Sequence, residues 1–243
     1  MNISSIKYIN MDKDREKLYL IDKLLRKFPY QRERIEGVKC GNSDVPMDKY
    51  LRYGLLPYLK DQTETRQKGV LGCWIAHARA LESVTETDGI TVVLEDDFVC
   101  KDGFFDRAIS MINNFDKDFD VILFDPKGTG PLAKHAIAPC IYDVEGCSYP
   151  EYMGSQCLFY NNKRVPYIRD TILDSHVRDF DGYILYEKKI KSYVFYTGLS
   201  RSIYFYSDVQ GEEYRNSFWY GMTEWIEYVC DWDGKVVDKR VSA

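Results

Sequence analysis

Glu95, Asp96 and Asp97 stand in a row directly after the apolar run Thr91–Leu94. A short run rich in β-branched residues reads as a buried strand, so this strand delivers three carboxylates to its C-terminal end. In open α/β sheets the ligand crevice lies outside that end. Two like charges about 4 Å apart repel by roughly 1 kcal/mol in water and about 4 kcal/mol at an effective dielectric near 20. Alternation of side chains along a strand relieves only part of this. A crowded carboxylate cluster at the rim of a core therefore calls for protonation, a basic neighbour or a cation. The nearest bases in sequence are Arg79, Lys101 and Arg107. A hard divalent cation such as Mn²⁺ or Mg²⁺ suits oxygen donors of this kind. The bland alternative is a solvated strand end or a helix cap.

The surrounding pattern predicts the elements that must hold these residues. Ile6–Met11 reads as a strand, and Asp14–Phe28 carries apolar residues at helical spacing until Pro29. Arg34–Val38 reads as a second strand, and 42–67 as a polar loop with a helical turn or two. Gly72–Val84 is expected to be a helix, Ile90–Leu94 a buried strand, Phe104–Phe115 a helix and Phe119–Phe124 another buried strand. The alternation implies an α/β fold with a mostly parallel central sheet flanked by helices. Lys127–Gly154 reads as a long loop, of a length that usually carries function. Cys157–Tyr160 and Ser192–Thr197 look like further strands, whereas Tyr214–Ala243 has no clear period.

With 243 residues and no linker, one domain is expected, its halves being about 1–125 and about 126–243. The net charge of −5 excludes an overall basic footprint for nucleic acid. No run approaches the roughly 20 apolar residues of a membrane span, and the start shows no secretory signal. A peripheral membrane contact and the oligomeric state are left open. Seven cysteines without a C-x-x-C pair read as reduced core residues in a reducing, cytoplasmic setting. Aromatic residues make up 15% of the chain; they read either as core or as flat faces for sugar rings. The clusters in question include Tyr149, Tyr152, Phe159 and Tyr160, then Tyr193 to Tyr206, then Phe218, Trp219, Tyr220, Trp225 and Trp232.

Three segments make the chain resemble the family 25 glycosyltransferases, which include bacterial lipooligosaccharide galactosyltransferases and collagen galactosyltransferases. Tyr8–Arg15 (YINMDKDR) is similar to the family's opening strand, Gly69–Leu81 (GVLGCWIAHARAL) to its "GxxGCxxSH" helix, and Val92–Val99 (VVLEDDFV) to its "LILEDD" strand. Gly72, Cys73 and His77 fall at the family's offsets, while Ala76 replaces its usual Ser. Weaker likenesses follow at Met153–Val165 and at Phe180–Leu185 (FDGYIL), where Asp181 matches the aspartate of a "PVDxxL" element. The resemblance implies a GT-A type nucleotide-sugar-binding fold, a divalent metal on the acidic motif, and inverting transfer of a sugar from a nucleotide sugar to a glycan hydroxyl. For UDP-galactose the product would be a β-galactoside, as in lipopolysaccharide-type glycans.

Within that chemistry Asp97 is assigned as a Mn²⁺ (or Mg²⁺) ligand. Asp96 shares the metal or binds the ribose, and Glu95 lies on the donor side. Asn10 and Met11 close the first strand where a nucleotide approaches, and the Asn10 amide can pair with a ribose or base edge. Arg15 offers a fork to phosphate, or is a solvated helix charge. His77 is either a satisfied core histidine or a hydrogen-bonding group near the nucleotide. His176, in the acidic stretch Asp174–Asp181, is a candidate late metal ligand. An inverting displacement needs a carboxylate to accept the acceptor's proton; Asp181 is the first candidate, with Asp179 and Asp125 as rivals. Two other readings stay open: a metal-dependent phosphoesterase or nuclease, and a carbohydrate-binding module without catalysis.

Overall fold

The computed structural model of the chain describes residues 1–39, 47–50, 52–128, 133–147, 151–202, 226–230 and 236–240. It opens with β1 (Ile3–Asn10), α1 (Arg15–Leu25) and β2 (Arg32–Glu36). Two one-turn helices, α2 (Met47–Tyr50) and α3 (Pro57–Lys60), lead into the long α4 (Glu64–Glu82). Next come β3 (Ile90–Glu95), β4 (Phe98–Cys100), α5 (Phe104–Asn113) and β5 (Val121–Phe124). The long connection after β5 contains the short strands β6 (Lys127–Gly128), β7 (Ala136–Ala138), β8 (Ile141–Asp143) and β9 (Tyr152–Met153). The chain continues through β10 (Cys157–Asn161), α6 (Val165–Leu173), α7 (Phe180–Tyr186), β11 (Ser192–Phe195) and β12 (Ser200–Ser202). In the tail β13 (Ile226–Cys230) pairs antiparallel with β14 (Val236–Arg240).

The central sheet has eight strands in the order β2-β1-β3-β10-β5-β11-β8-β7. β1 runs parallel to β2 and β3, and β11 parallel to β5. β10 is antiparallel to both β3 and β5, so those two share one direction across it. The α/β class and the mostly parallel sheet are as the sequence predicts, with β10 and β8 the reversed strands.

Side-chain alternation divides the core between the two sheet faces. Val92, Leu94, Ile122, Phe124 and Phe159 pack with α1 and α5, while Val93, Leu123, Leu158 and Tyr160 pack with α4, α6 and α7. On the first face Phe104, Phe105, Phe124, Phe159 and Phe195 form a chain of mostly edge-to-face rings. On the second, Trp74 meets Phe180 and Tyr183 edge-on. Much of the aromatic excess is therefore core: Tyr152, Phe159 and Tyr160 are fully buried rather than presented to a sugar. The residues proposed as platforms from Tyr204 through Trp225, together with Tyr149 and Trp232, lie outside the described residues.

Several boundaries differ from those expected. α4 starts at Glu64, where the Thr63 hydroxyl caps the Arg66 amide, because its polar first turn carries no apolar period. α6 and α7 were not legible in the residue pattern, being short helices buried on one side. Cys73, Cys100, Cys147 and Cys157 are free, as expected. Cys140 is disulfide-bonded, which corrects the expectation that every cysteine is reduced; a single bridge leaves no spacing signature.

Candidate active site

Three parallel strands end together. Ile9 pairs with Glu95 across β1 and β3, and Asn10 pairs with Glu36 across β1 and β2. Asn10, the acidic triplet and the turn after β2 thus rim one cavity of about 410 Å³. Its wall is α4, where Gly69, Gly72 and Ala76 keep one helix face small. At Gly37 a Cβ would come within 2.7 Å of Met11 Sδ and 3.2 Å of the Met11 amide nitrogen, so glycine lets the two chains pass. Its own amide donates to the Asn10 carbonyl at 2.9 Å.

The Asn10 side chain is held at both ends. Its Nδ2 donates to Asp96 Oδ2 at 2.8 Å and to the Asp14 carbonyl at 3.2 Å. Arg34 Nε donates to Asn10 Oδ1 at 3.2 Å, and Arg34 Nη2 donates to the Asn10 carbonyl at 3.2 Å and to Asp12. Lys17 Nζ stands 3.5 Å from Asp96 Oδ1 and 3.8 Å from Asp14. Burial pushes the Asp96 carboxyl up to about 6; the charges of Asp97 and Glu95 add to the rise, and Lys17 and Asn10 oppose it. Asp97 lines the same cavity.

Glu95 accepts a hydrogen bond from the Ser155 hydroxyl and lies 3.3 Å from His77 Nε2. The His77 ring is buried and stacked on Phe180, with ring centroids 4.1 Å apart. Asp96 and Asp97 line the cavity with carboxylate oxygens, the donors a hard divalent cation takes, while Glu95 is grouped with Cys73 and His77. The same cavity is lined by Lys13, Lys17, Lys39 and Lys68, of which Lys17 is ion-paired with Asp96. Carboxylates and ammonium groups lining one cavity can bind a cation together with an anionic ligand such as a diphosphate.

The sequence candidates separate into two groups. Asn10, Met11, His77, Glu95, Asp96 and Asp97 all line the cavity. Arg15 does not: it is exposed at the start of α1, and Lys13 and Lys17 flank the cavity instead. Lys13 stands in the turn before α1 and Lys17 in the helix's first turn, so no single helical spacing marks the pair. His176 is exposed and stacks on Tyr53 at 5.6 Å, away from the lining residues.

Asp179 is engaged by Arg66 and by the Tyr58 hydroxyl at 3.0 Å, a latch between α4 and the start of α7. Asp181 accepts from the amides of Gly154 at 2.7 Å and Gly182 at 2.8 Å. Burial raises its pKa, the charges of Asp179 and Glu95 add to this, and the two amides oppose it. Asp125 is enclosed: the amides of Thr197, Gly198 and Ser200 and both hydroxyls of Thr197 and Ser200 donate to it. It ties the end of β5 to the turn before β12 and faces no crevice lining.

Neither a protein-family model nor a curated protein sequence matches the chain. Solved structures that match include a glycosyltransferase involved in the glycosylation of the major capsid of PBCV-1, at 12% identity over 81% of this chain and 83% of that one, with a TM-score of 0.44. The apo-form glycosyltransferase GlyE of Streptococcus pneumoniae TIGR4 is 13% identical over 79% of this chain and 45% of its own length, with a TM-score of 0.39. The 4-diphosphocytidyl-2C-methyl-D-erythritol synthase of Anaerococcus prevotii is 11% identical over 80% of this chain and 70% of its own, with a TM-score of 0.37. No helix among the described residues is long and apolar enough to cross a membrane.

Proposed function

We propose that the chain is a divalent-cation-dependent glycosyltransferase that moves a sugar, galactose first among the candidates, from a UDP-sugar to a hydroxyl of a glycan acceptor with inversion. The observation that carries this reading is the meeting of the β1 and β3 ends, with Asn10, Asp96 and Asp97, in one cavity that four lysines also line. The likeness of the three sequence segments to family 25 supports the same class.

Asp96 and Asp97 would hold Mn²⁺ or Mg²⁺, which would supply positive charge against a leaving diphosphate. Lys13, Lys17, Lys39 and Lys68 bind phosphate oxygens and hold the leaving group in place. Asn10, fixed by Arg34, keeps Asp96 oriented, and Met11 gives the donor an apolar wall. Asp181 accepts the proton of the acceptor hydroxyl at a carboxylate oxygen as that hydroxyl attacks; a raised pKa suits a general base. On this reading residues of about 1–125 hold the donor, and the remainder supplies Asp181 and the acceptor side.

Calorimetry with UDP in the presence and absence of Mn²⁺, followed by UDP release from a panel of UDP-sugars, tests the proposal. Mn²⁺-dependent UDP binding and turnover with UDP-galactose are expected. UDP binding that ignores Mn²⁺, or no release of UDP from any sugar donor with a hydroxyl acceptor supplied, removes it.

A further inference from the structure

Cys73 and His77 lie four residues apart on α4 and share one face, one turn apart. Glu95 faces them from the end of β3. One sulfur, one ring nitrogen and one carboxylate oxygen of these three residues all lie within 4.8 Å of one another. His77 Nε2 and Glu95 Oε1 are 3.3 Å apart, which is about the edge spanned by two donors held at about 2.0 Å in a tetrahedral site. The orientation of the ring is set by its stacking on Phe180. The other nitrogen, Nδ1, is buried and has no hydrogen-bond partner among the described residues, so Nε2 is the working atom. All three residues line the cavity, so a fourth position would be reached from it.

We propose that Cys73, His77 and Glu95 form a binding site for a borderline-soft divalent cation of the zinc class, beside the oxygen set of Asp96 and Asp97. Sulfur and imidazole select such an ion over Mg²⁺ or Mn²⁺. An open fourth position is the pattern of zinc sites that keep a water or a ligand. On binding, the Cys73 thiol gives its proton to solvent and ligates as thiolate, with no change of oxidation state. The proposal stands on these three side chains and does not require the sugar-transfer reading.

Co²⁺ alone, titrated into the full chain, tests it, because a cobalt–thiolate bond gives a near-ultraviolet charge-transfer band. The band is expected with the wild-type chain and is displaced by Zn²⁺. Cys73→Ser abolishes it, and His77→Gln weakens Co²⁺ binding at least about tenfold, as loss of even an outer partner does. Asp97→Ala keeps the band. Cys147→Ser is the needed control, because His135, Cys147 and Glu151 form a second compact group on loop segments; it also keeps the band. No band in the wild type, a band that survives Cys73→Ser, or one lost in Cys147→Ser or Asp97→Ala overturns the proposal. A second readout needs no variant: Zn²⁺ is expected to protect Cys73 of the wild type from alkylation and to leave Cys147 exposed to it. Equal alkylation of Cys73 with and without Zn²⁺ means that the three side chains form only a hydrogen-bonded network.

Discussion

The Asn10 amide donates to Asp96 at 2.8 Å while Arg34 donates to the other end of the same amide at 3.2 Å. Both polar atoms of Asn10 are thereby engaged, and on the proposed reading its part is to fix Asp96. Arg34, one strand away on β2, acts through it. Asn10→Ala is expected to weaken Mn²⁺–UDP binding about 10- to 100-fold, the usual effect of removing a partner behind a metal ligand. Arg34→Gln is expected to lower it less. Calorimetry on both variants checks this, and unchanged affinity in Asn10→Ala would leave the amide without a role.

Asp97→Ala is expected to abolish Mn²⁺-dependent UDP binding and to lower transfer by at least about 100-fold, the scale of losing one charge-stabilising group. Asp97 stands in the turn after β3 and lines the cavity rather than a sheet face, so the melting temperature is expected to stay near that of the wild type. A folded Asp97→Ala protein with near-normal turnover would remove the residue from the cation site.

Asp96 sets a pH dependence with a definite sign. Its carboxyl is raised from 3.8 to about 6 in the folded chain. Between those values the native state holds a proton that the unfolded state has lost, so metal-free stability is greatest below about pH 4 for this group and falls as pH rises through about 6. A shift of about two units corresponds to about 3 kcal/mol at most. Melting curves from pH 4 to 7.5 are expected to show this contribution flattened in Asp96→Asn. Added Mn²⁺ should stabilise the wild type most at the upper end, where the carboxylate is ionised. A wild type and Asp96→Asn with parallel pH profiles would contradict the assignment.

The strand that carries the triplet was legible because Thr91–Leu94 is an uninterrupted apolar run, and its buried position between β1 and β10 follows from that composition. The meeting of Asn10 with the triplet followed from the α/β alternation, since parallel neighbours end at one edge. What the residue pattern did not reveal depends on contacts between distant segments. Asp179 is matched to Arg66, 113 residues away, and Asp125 to a turn 72 to 75 residues away. Neither pairing leaves a local trace, so both aspartates read equally well as candidate bases. Arg15 was singled out for its guanidinium fork, but the start of α1 turns it outward and gives the cavity to Lys13 and Lys17.

Asp125 provides a contrast between an aspartate that builds the fold and those that line the cavity. Five donors surround its carboxylate, and its backbone is held at a φ of 46°. Asp125→Ala leaves buried amides and hydroxyls without an acceptor, each worth about 1–3 kcal/mol. A loss of at least about 3 kcal/mol in denaturant unfolding is expected, with UDP affinity retained in the folded fraction. A stable Asp125→Ala protein that has lost UDP binding would place this residue in the site instead.

Burial raises the pKa of Asp181, with the charges of Asp179 and Glu95 adding to it, and both its oxygens are kept on backbone amides. If it accepts the acceptor's proton, Asp181→Asn removes the base while keeping the volume. One of the two amide bonds is lost, because the new –NH₂ cannot accept, at a cost of about 1–3 kcal/mol to stability. The rate constant for transfer should fall about 10²- to 10⁴-fold, the range for a general base, with UDP affinity changed less than about twofold. The separation of these two quantities is the discriminating readout, because a merely structural aspartate behind Gly154 would disturb binding and turnover together. Measuring kcat with saturating donor and UDP affinity on the same preparation decides between them. Equal losses in both would return Asp181 to a packing role and leave the proton to a carboxylate that lines the cavity.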